Sequence, residues 1–310
     1  MHDNLDARTV CCIGGMTMDR TLRLLQPGVA GTSNPVASRP ARGGVARNVA
    51  ENLARLSVPC TLISAVGDDE AGRQILQDTA SQGVDTSLVQ KSLSEPTGSC
   101  TRAIQPDGEL FVSFADMDIC KLMDRAFIQN RWLQIANATL VFADTNLPAE
   151  SLSYLITGCR EHELTLVLDA VSTSKAKSLP LSLHGVDMFF CNADEARAIL
   201  GDDIAKNTQD MANALCQRGA RTVIVTAGSD GICFARNGER LVLPAPPVPL
   251  VDVSGAGDAL VAGTLYGRLM DYDPATSLRI GLKAAGMTIA SEEAGCPELS
   301  VDAITDGLKP

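Results

Sequence analysis

Aromatic residues are scarce in this chain of 310 residues, 4% of the total with a single tryptophan, and there are only three histidines. His2, His162 and His184 stand far apart, which leaves no histidine spacing for a zinc site. Cysteine is not lacking, but none of the ten forms a Cys-x-x-Cys pair, and several lie in apolar runs such as 10-VCCIGG-15 and 189-FFCNADE-195. That usage fits reduced cysteine acting as a small hydrophobe and argues against a disulfide framework. Runs of Lys/Arg interleaved with aromatics are missing as well, and the formal net charge is -11. An acidic surface repels phosphate backbones, so nucleic acid is excluded as a partner. No apolar run reaches a membrane span, and the first twenty residues show no basic-then-apolar leader. The expectation is a soluble, cytoplasmic protein with no membrane partner.

Several catalytic signatures are also absent. There is no GxxxxGK[ST] phosphate loop, no GxGxxG after a strand, no GxSxG elbow and no Cys–His nucleophile pattern. What the chain does have is alternation. Apolar runs at 8–14, 60–66, 138–144, 164–170, 186–192 and 221–228 read as strands, and 45–56, 149–160, 193–200 and 208–218 as helices between them. Continuously apolar strands alternating with helices predict a mostly parallel sheet covered on both faces. Two stretches break the rhythm. Residues 16–42 are rich in Gly, Pro, Ser and Asn, and 97–118 alternates like a hairpin around Pro106-Asp107-Gly108. Both read as β excursions forming a lid on a single domain spanning 1–310. Beyond residue 254 the chain reads as almost wholly helical.

The chemistry concentrates in 252-DVSGAGDALVAG-263. Gly255, Ala256 and Gly257 form a tight turn into a small-residue helix, with Asp258 in its first turn. A helix start offers unpaired N–H groups and a positive dipole end, so this is an anion site with an acid inside it. Alone, the turn reads equally as a strand–helix junction whose Asp complements the dipole. In 43-GGVARNVAENLARLS-57 a Gly43-Gly44 turn leads into an amphipathic helix with Asn48 in its first turns. In 192-NADE-195, Asn192 and Glu195 lie one turn apart, the pattern of a capping box. The segment 226-TAGSDG-231, holding Thr226, Gly228 and Gly231, reads as a hairpin turn.

Taken in order, 14-GGMTMD-19, 43-GGVARN-48, 65-AVGDDEAG-72, 192-NADE-195, 226-TAGSDG-231 and 252-DVSGAGD-258 resemble the PfkB (ribokinase-like) carbohydrate kinase family over nearly the whole chain. The resemblance implies a three-layer α/β/α domain with a small β lid, and phosphoryl transfer from ATP with Mg²⁺ and a monovalent cation such as K⁺. It implies an anion hole at Gly255, Ala256 and Gly257 and a base at Asp258. Asp19, Gly43, Gly44 and Asn48 would then hold sugar hydroxyls, while Asn192, Thr226, Gly228 and Gly231 would lie along the nucleotide. Glu195 would order the Mg²⁺ water shell. Asp252, Ser291, Ala294 and Gly295 would hold the monovalent ion, although Val253 stands where the family commonly has Thr. A homodimer through the lid is a further implication.

Within the family, 33-SNP-35, 113-SFADMDI-119, 142-FADTNLPAESL-152 and 169-DAVSTSK-175 resemble bacterial pseudouridine kinases, with Asp118 departing from an expected Asn. The small-molecule acceptor implied is the 5′-hydroxyl of pseudouridine, and Asn34, Arg47, Asp116, Asp144 and Asn146 become candidate base or ribose contacts. Each reads equally as a polar lid or loop residue. The alternatives are another sugar or nucleoside kinase (ribokinase, inosine/adenosine kinase) or a non-catalytic nucleoside sensor on the same fold.

Overall fold

The computed structural model describes residues 8–201, 207–291 and 296–307. In chain order its strands are β1 (Val10–Ile13), β2 (Thr17–Leu24), β3 (Val36–Gly43), β4 (Cys60–Ile63), β5 (Ala65–Gly67), β6 (Gln90–Ser92), β7 (Ser99–Ile104), β8 (Leu110–Asp116), β9 (Leu140–Asp144), β10 (Thr165–Asp169), β11 (Met188–Asn192), β12 (Thr222–Thr226), β13 (Ile232–Arg236) and β14 (Glu239–Leu243). Eight of them form a central sheet in the order β14-β13-β12-β11-β10-β9-β1-β4. All its pairings are parallel except those of β13 with β12 and β14. The mostly parallel sheet expected from the apolar runs is therefore present, extended by an antiparallel edge that the strand reading had left out.

Strand residues divide alternately between two cores. Val10, Cys12, Leu140 and Phe142 face one side, and Cys11, Ile13, Val141 and Ala143 the other. Helices Val45–Arg55, Ala256–Leu269 and Pro274–Ile289 supply the first core, while Ala149–Glu161, Ala193–Leu200 and Thr208–Gln217 supply the second. This explains why the strands read as unbroken apolar runs: each buries both faces, at about 1.5–3 kcal/mol per large side chain removed from water. Helix Glu70–Ser81 was not anticipated; Asp69 caps it by accepting from the Gly72 amide.

The lid is a separate four-stranded sheet, β3-β2-β7-β8, with β2 antiparallel to β3 and parallel to β7. The hairpin expected around Pro106-Asp107-Gly108 joins β7 to β8. Both lid segments run in the stretches 16–42 and 97–118, with β3 closing at Gly43. Among the described residues no helix is long and apolar enough to cross a membrane.

Candidate active site

The parallel strands end together, and their last residues form a polar row: Asp144 on β9, Asp169 on β10, Asn192 on β11 and Thr226 on β12. The chain leaves β1 toward β4 on one side and β9 on the other, a topological switch point, where open α/β sheets form their ligand crevice. Helix Ala256–Leu269 begins beside this edge. Its N-cap Gly255 adopts left-handed φ 78°, open to glycine at little steric cost, and turns the chain so that Asp258 enters the first helical turn. The Ala256 N–H donates to the Val253 carbonyl at 3.3 Å.

Asp258 does not stand alone. Its Oδ2 accepts from Asn48 Nδ2 at 2.6 Å, joining the start of helix Ala256–Leu269 to the first turns of helix Val45–Arg55. The Asn48 amide is held by Arg47, whose guanidinium donates to Asn48 Oδ1, to the Gly43 carbonyl (2.9 Å) and to Glu51. Arg47 and Glu51 are both buried, and Arg55 meets the other Glu51 oxygen at 2.9 Å. Burial pushes the Glu51 carboxyl upward, but Arg47, Arg42 and Arg55 outweigh it and hold it below the usual carboxylate range. Asn48 thereby has a fixed orientation, with its NH₂ aimed at Asp258. Desolvation raises Asp258 from 3.8 to about 7 and Asp144 adds repulsion; Asn48 and Arg47 only partly counter them.

The Gly43-Gly44 turn brings the lid onto this site. Gly44 has φ 93°, and a side chain there would collide with the Gly15 carbonyl. Gly43 abuts the Asp19 carboxylate. Asp19, on lid strand β2, accepts the Cys100 N–H at 2.9 Å, and burial raises its pKa against the lowering effect of Thr17 and Cys100.

On the other side of the crevice, Asn192 and Glu195 form a full capping box: Asn192 Oδ1 accepts the Glu195 N–H, and Glu195 Oε2 the Asn192 N–H, both at 2.8 Å. Glu195 is buried and its pKa raised by desolvation. Asp169, to which the sequence reading gave no role, lies among Asp258, Glu195 and Asp144. Burial first, then repulsion from Glu195 and Asp258, raises it well above 3.8. Its place as the polar last residue of an apolar strand was the available signal. Thr226, Gly228 and Gly231 form the turn between β12 and β13, closed by the Ala227 N–H donating to the Gly231 carbonyl at 2.9 Å.

Three residues read as acceptor contacts are placed otherwise. Asp144 is fully buried and accepts the Gly15, Ala46 and Asn146 backbone N–H groups, each at 2.9 Å, so it ties three segments together beneath the crevice instead of lining it. Asn34 uses its side chain within its own turn, accepting from the Val29 N–H and donating to the Val29 and Thr32 carbonyls. Arg47 is spent on Glu51 and Asn48. Asp116 lies exposed at the end of lid strand β8, and Asn146 is buried beside Asp144. Asp252 Oδ1 accepts the Ser254 N–H, and the Asp252 N–H donates to the Ile289 carbonyl, which brings Asp252 beside the helix end preceding Ser291. Ala294 and Gly295 lie outside the described residues.

The profile of the pfkB family carbohydrate kinases matches residues 7–300. The chain belongs to that family. Among curated proteins this pfkB kinase is 29% identical over 280 residues to the pseudouridine kinase of Escherichia coli, covering 87% of this chain and 86% of that one. It is 29% identical over 296 residues to an ATP-dependent ribose-1-phosphate kinase of Halopiger xanaduensis, covering 95% and 96%. Among solved structures a carbohydrate kinase from Agrobacterium tumefaciens superposes with TM-score 0.82 at 30% identity, covering 96% of this chain and 95% of that one. The fold is ribokinase-like, as the motif order implied.

Proposed function

We propose that this pfkB kinase is one cytoplasmic domain that transfers the γ-phosphoryl group of ATP to the 5′-hydroxyl of pseudouridine. The observation that carries the kinase chemistry is the Asp258–Asn48 pair at a helix N-terminus, with Asp258 raised to about 7. A carboxylate with its midpoint near neutrality is matched to take a hydroxyl proton at working pH. Asp258 accepts the proton of the acceptor hydroxyl, the oxygen bonds to phosphorus, and the phosphorus–oxygen bond to ADP breaks. The first-turn amides from Gly255 to Gly257 stabilise the charge on the phosphoryl oxygens, the main need of a loose transition state. For Ala256 this means exchanging its bond to Val253 for the phosphate. Asp19, Gly43, Gly44 and Asn48 hold the sugar, and Asn192, Thr226, Gly228 and Gly231 flank the nucleotide.

A divalent ion fits the repulsion among Asp169, Glu195 and Asp258, which a nearby cation relieves. Among the described residues there is no cluster of three or more acidic, histidine or cysteine ligands, and Glu195 would order the water shell of a bound Mg²⁺. When bound, Mg²⁺ neutralises charge between the phosphates. Asp252 and Ser291 are the described part of a monovalent-cation site such as one for K⁺. Lid strands β3 and β8 are edges, and pairing through this sheet makes a homodimer.

Pseudouridine itself rests on resemblance at 33–35, 113–119, 142–152 and 169–175. The two relatives named above share equal identity with this chain and are named for different acceptors. Competition decides between acceptors: equimolar pseudouridine, uridine, inosine and ribose are incubated with ATP and the monophosphates resolved. Pseudouridine 5′-phosphate is the expected main product. Preference for ribose or inosine leaves the kinase standing and removes pseudouridine.

A further inference from the structure

One buried acid has no part in the mechanism above. Glu51 lies on helix Val45–Arg55, one turn beyond Arg47 and one turn before Arg55. Its two oxygens are divided between them: Oε2 accepts from Arg47 Nη1, and Oε1 from Arg55 Nη2 at 2.9 Å. Arg55 also donates from Nη1 to the Cys296 carbonyl at 2.7 Å, which fixes the far end of the row. A buried row of charges is poor evidence of a contribution to stability, since apolar residues of similar volume often serve as well. The Nε of Arg55, buried without a hydrogen-bond partner among the described residues, adds a further cost. The row ends one side chain away from Asp258, and its role lies there.

What Glu51 restrains is Arg47. The Arg47 guanidinium donates to Asn48 Oδ1, and Asn48 Nδ2 donates to Asp258 Oδ2 at 2.6 Å, so a single amide separates the cation from that carboxylate. The carbonyls of Gly43 at 2.9 Å and Arg42 at 3.4 Å are the other acceptors of Arg47. Neutral oxygens hold a guanidinium less firmly than a carboxylate does. Besides Glu51, two acids feel the charge of Arg47: Asp258, and Asp19 of lid strand β2, which already accepts from Thr17 and Cys100. Asp144 from β9 and Asp169 from β10 face Asp258 and repel it, while Arg42 from β3 faces Arg47 and Glu51. Freed from Glu51, Arg47 would therefore turn to Asp258. That ion pair would weaken Asp258 as a base and occupy the carboxylate.

We infer that Glu51 is a positioning residue for phosphoryl transfer: it holds the Arg47 guanidinium along its own helix and off Asp258, so that Asp258 meets the neutral amide of Asn48 and keeps an oxygen free for the acceptor hydroxyl. The inference rests on Asp258 as the base and is independent of which acceptor is used.

The test reads Asp258 directly. In protein labelled with carbon-13 at its aspartate carboxyls, the Asp258 signal is assigned by its loss in Asp258→Asn, and its titration is followed beside turnover. In Glu51→Gln the midpoint should move from about 7 to about 4–6, the effect of a cation within a few ångströms of a carboxylate. Turnover at pH 8 should fall about ten-fold or more, a part of the ~10²–10⁴ that a general base contributes. Adding Arg47→Met to Glu51→Gln should return the midpoint to about 7 or above and recover part of the turnover, which a merely structural loss would not do. Glu51→Asp keeps the buried charge but is one methylene too short for its two arginines. It should show a smaller fall in the same direction, and it decides the matter if Glu51→Gln does not fold. A midpoint unmoved or raised in the folded single variant, or a fall that persists in the double variant, overturns the inference. If Asp258→Asn keeps its turnover, the base assignment fails instead, whatever the titration shows.

Discussion

Replacing Asp258 by asparagine should make the enzyme nearly inactive and, above neutral pH, more stable. Both effects come from the same desolvated carboxylate. Burial and the nearby Asp144 raise its midpoint from 3.8 to about 7, a shift worth roughly 4 kcal/mol against the ionised form. The sign follows from proton binding. Between 3.8 and about 7 the folded protein holds a proton that the unfolded chain has released, so stability is lost as pH rises through that window. Below 3.8 both states are protonated and the penalty is absent; above about 7 it is complete. Asparagine never ionises, keeps the shape, and can still accept from Asn48 through its carbonyl oxygen. What it forfeits is the charge at a helix N-terminus, about 0.3–1 kcal/mol. The net expectation at pH 8 is a gain of roughly 3 kcal/mol, shrinking toward zero near pH 4.

Chemical denaturation of both proteins across that pH range measures the gain, and a coupled ADP-release assay measures turnover. Loss of the base should lower kcat by about 10²–10⁴, which is roughly 3–5 kcal/mol of barrier. Two results would refute the reasoning. If the stability difference did not depend on pH, the carboxylate would not be desolvated as described. If the variant kept more than about a tenth of wild-type turnover, Asp258 would not be the base.

Arg47→Met removes one partner of a buried ion pair and should destabilise by about 3 kcal/mol, the low end for such losses because Arg55 still holds Glu51. Since Arg47 also lowers Asp258, the acid limb of its kcat/KM profile should move to higher pH, which simple misfolding would not produce. Gly44→Ala forces a side chain into φ 93° and against the Gly15 carbonyl; thermal denaturation should show about 1–3 kcal/mol lost, and the acceptor KM should rise more than the ATP KM. Glu195→Gln keeps a capping residue, so stability should change little while the Mg²⁺ needed for half-maximal activity rises; an unchanged Mg²⁺ titration would reduce Glu195 to a cap.

How far the sequence was legible depended on how local each feature is. The central strands showed because each is apolar on both faces over four or five residues, and the helix start from Gly255 to Asp258 because those residues are contiguous. Capping at Asn192 and Glu195 needed only a spacing of three. The backbone role of Asp144 was not legible for the opposite reason. Its partners are amides at 15, 46 and 146, and a carboxylate at a strand end looks the same in sequence whether it faces a ligand or three backbone N–H groups. Of the antiparallel edge, β14 has a largely exposed face and gives no continuous apolar run, whereas β13 does carry one over residues 232–235 and was legible in principle.

Locality also separates the reaction, legible in short contiguous motifs, from the acceptor. Phosphoryl transfer needs a base and aligned amides, and on the proposed function one helix start supplies both. An acceptor is recognised by a surface, which on the proposed function includes the lid, and the faces of the lid sheet exist only through register. Thr21 meets Arg39 across a hairpin, but it meets Arg102 across a parallel pairing of segments some eighty residues apart. Neither residue type nor spacing announces that row, and a net charge of -11 conceals it, since the excess of carboxylates lies elsewhere on the chain. Charge averaged over a sequence bears on nucleic acid as a partner. Charge on one face of the lid sheet, where Arg23, Arg39 and Arg102 gather beside Asp19, is a separate quantity that only the strand register reveals.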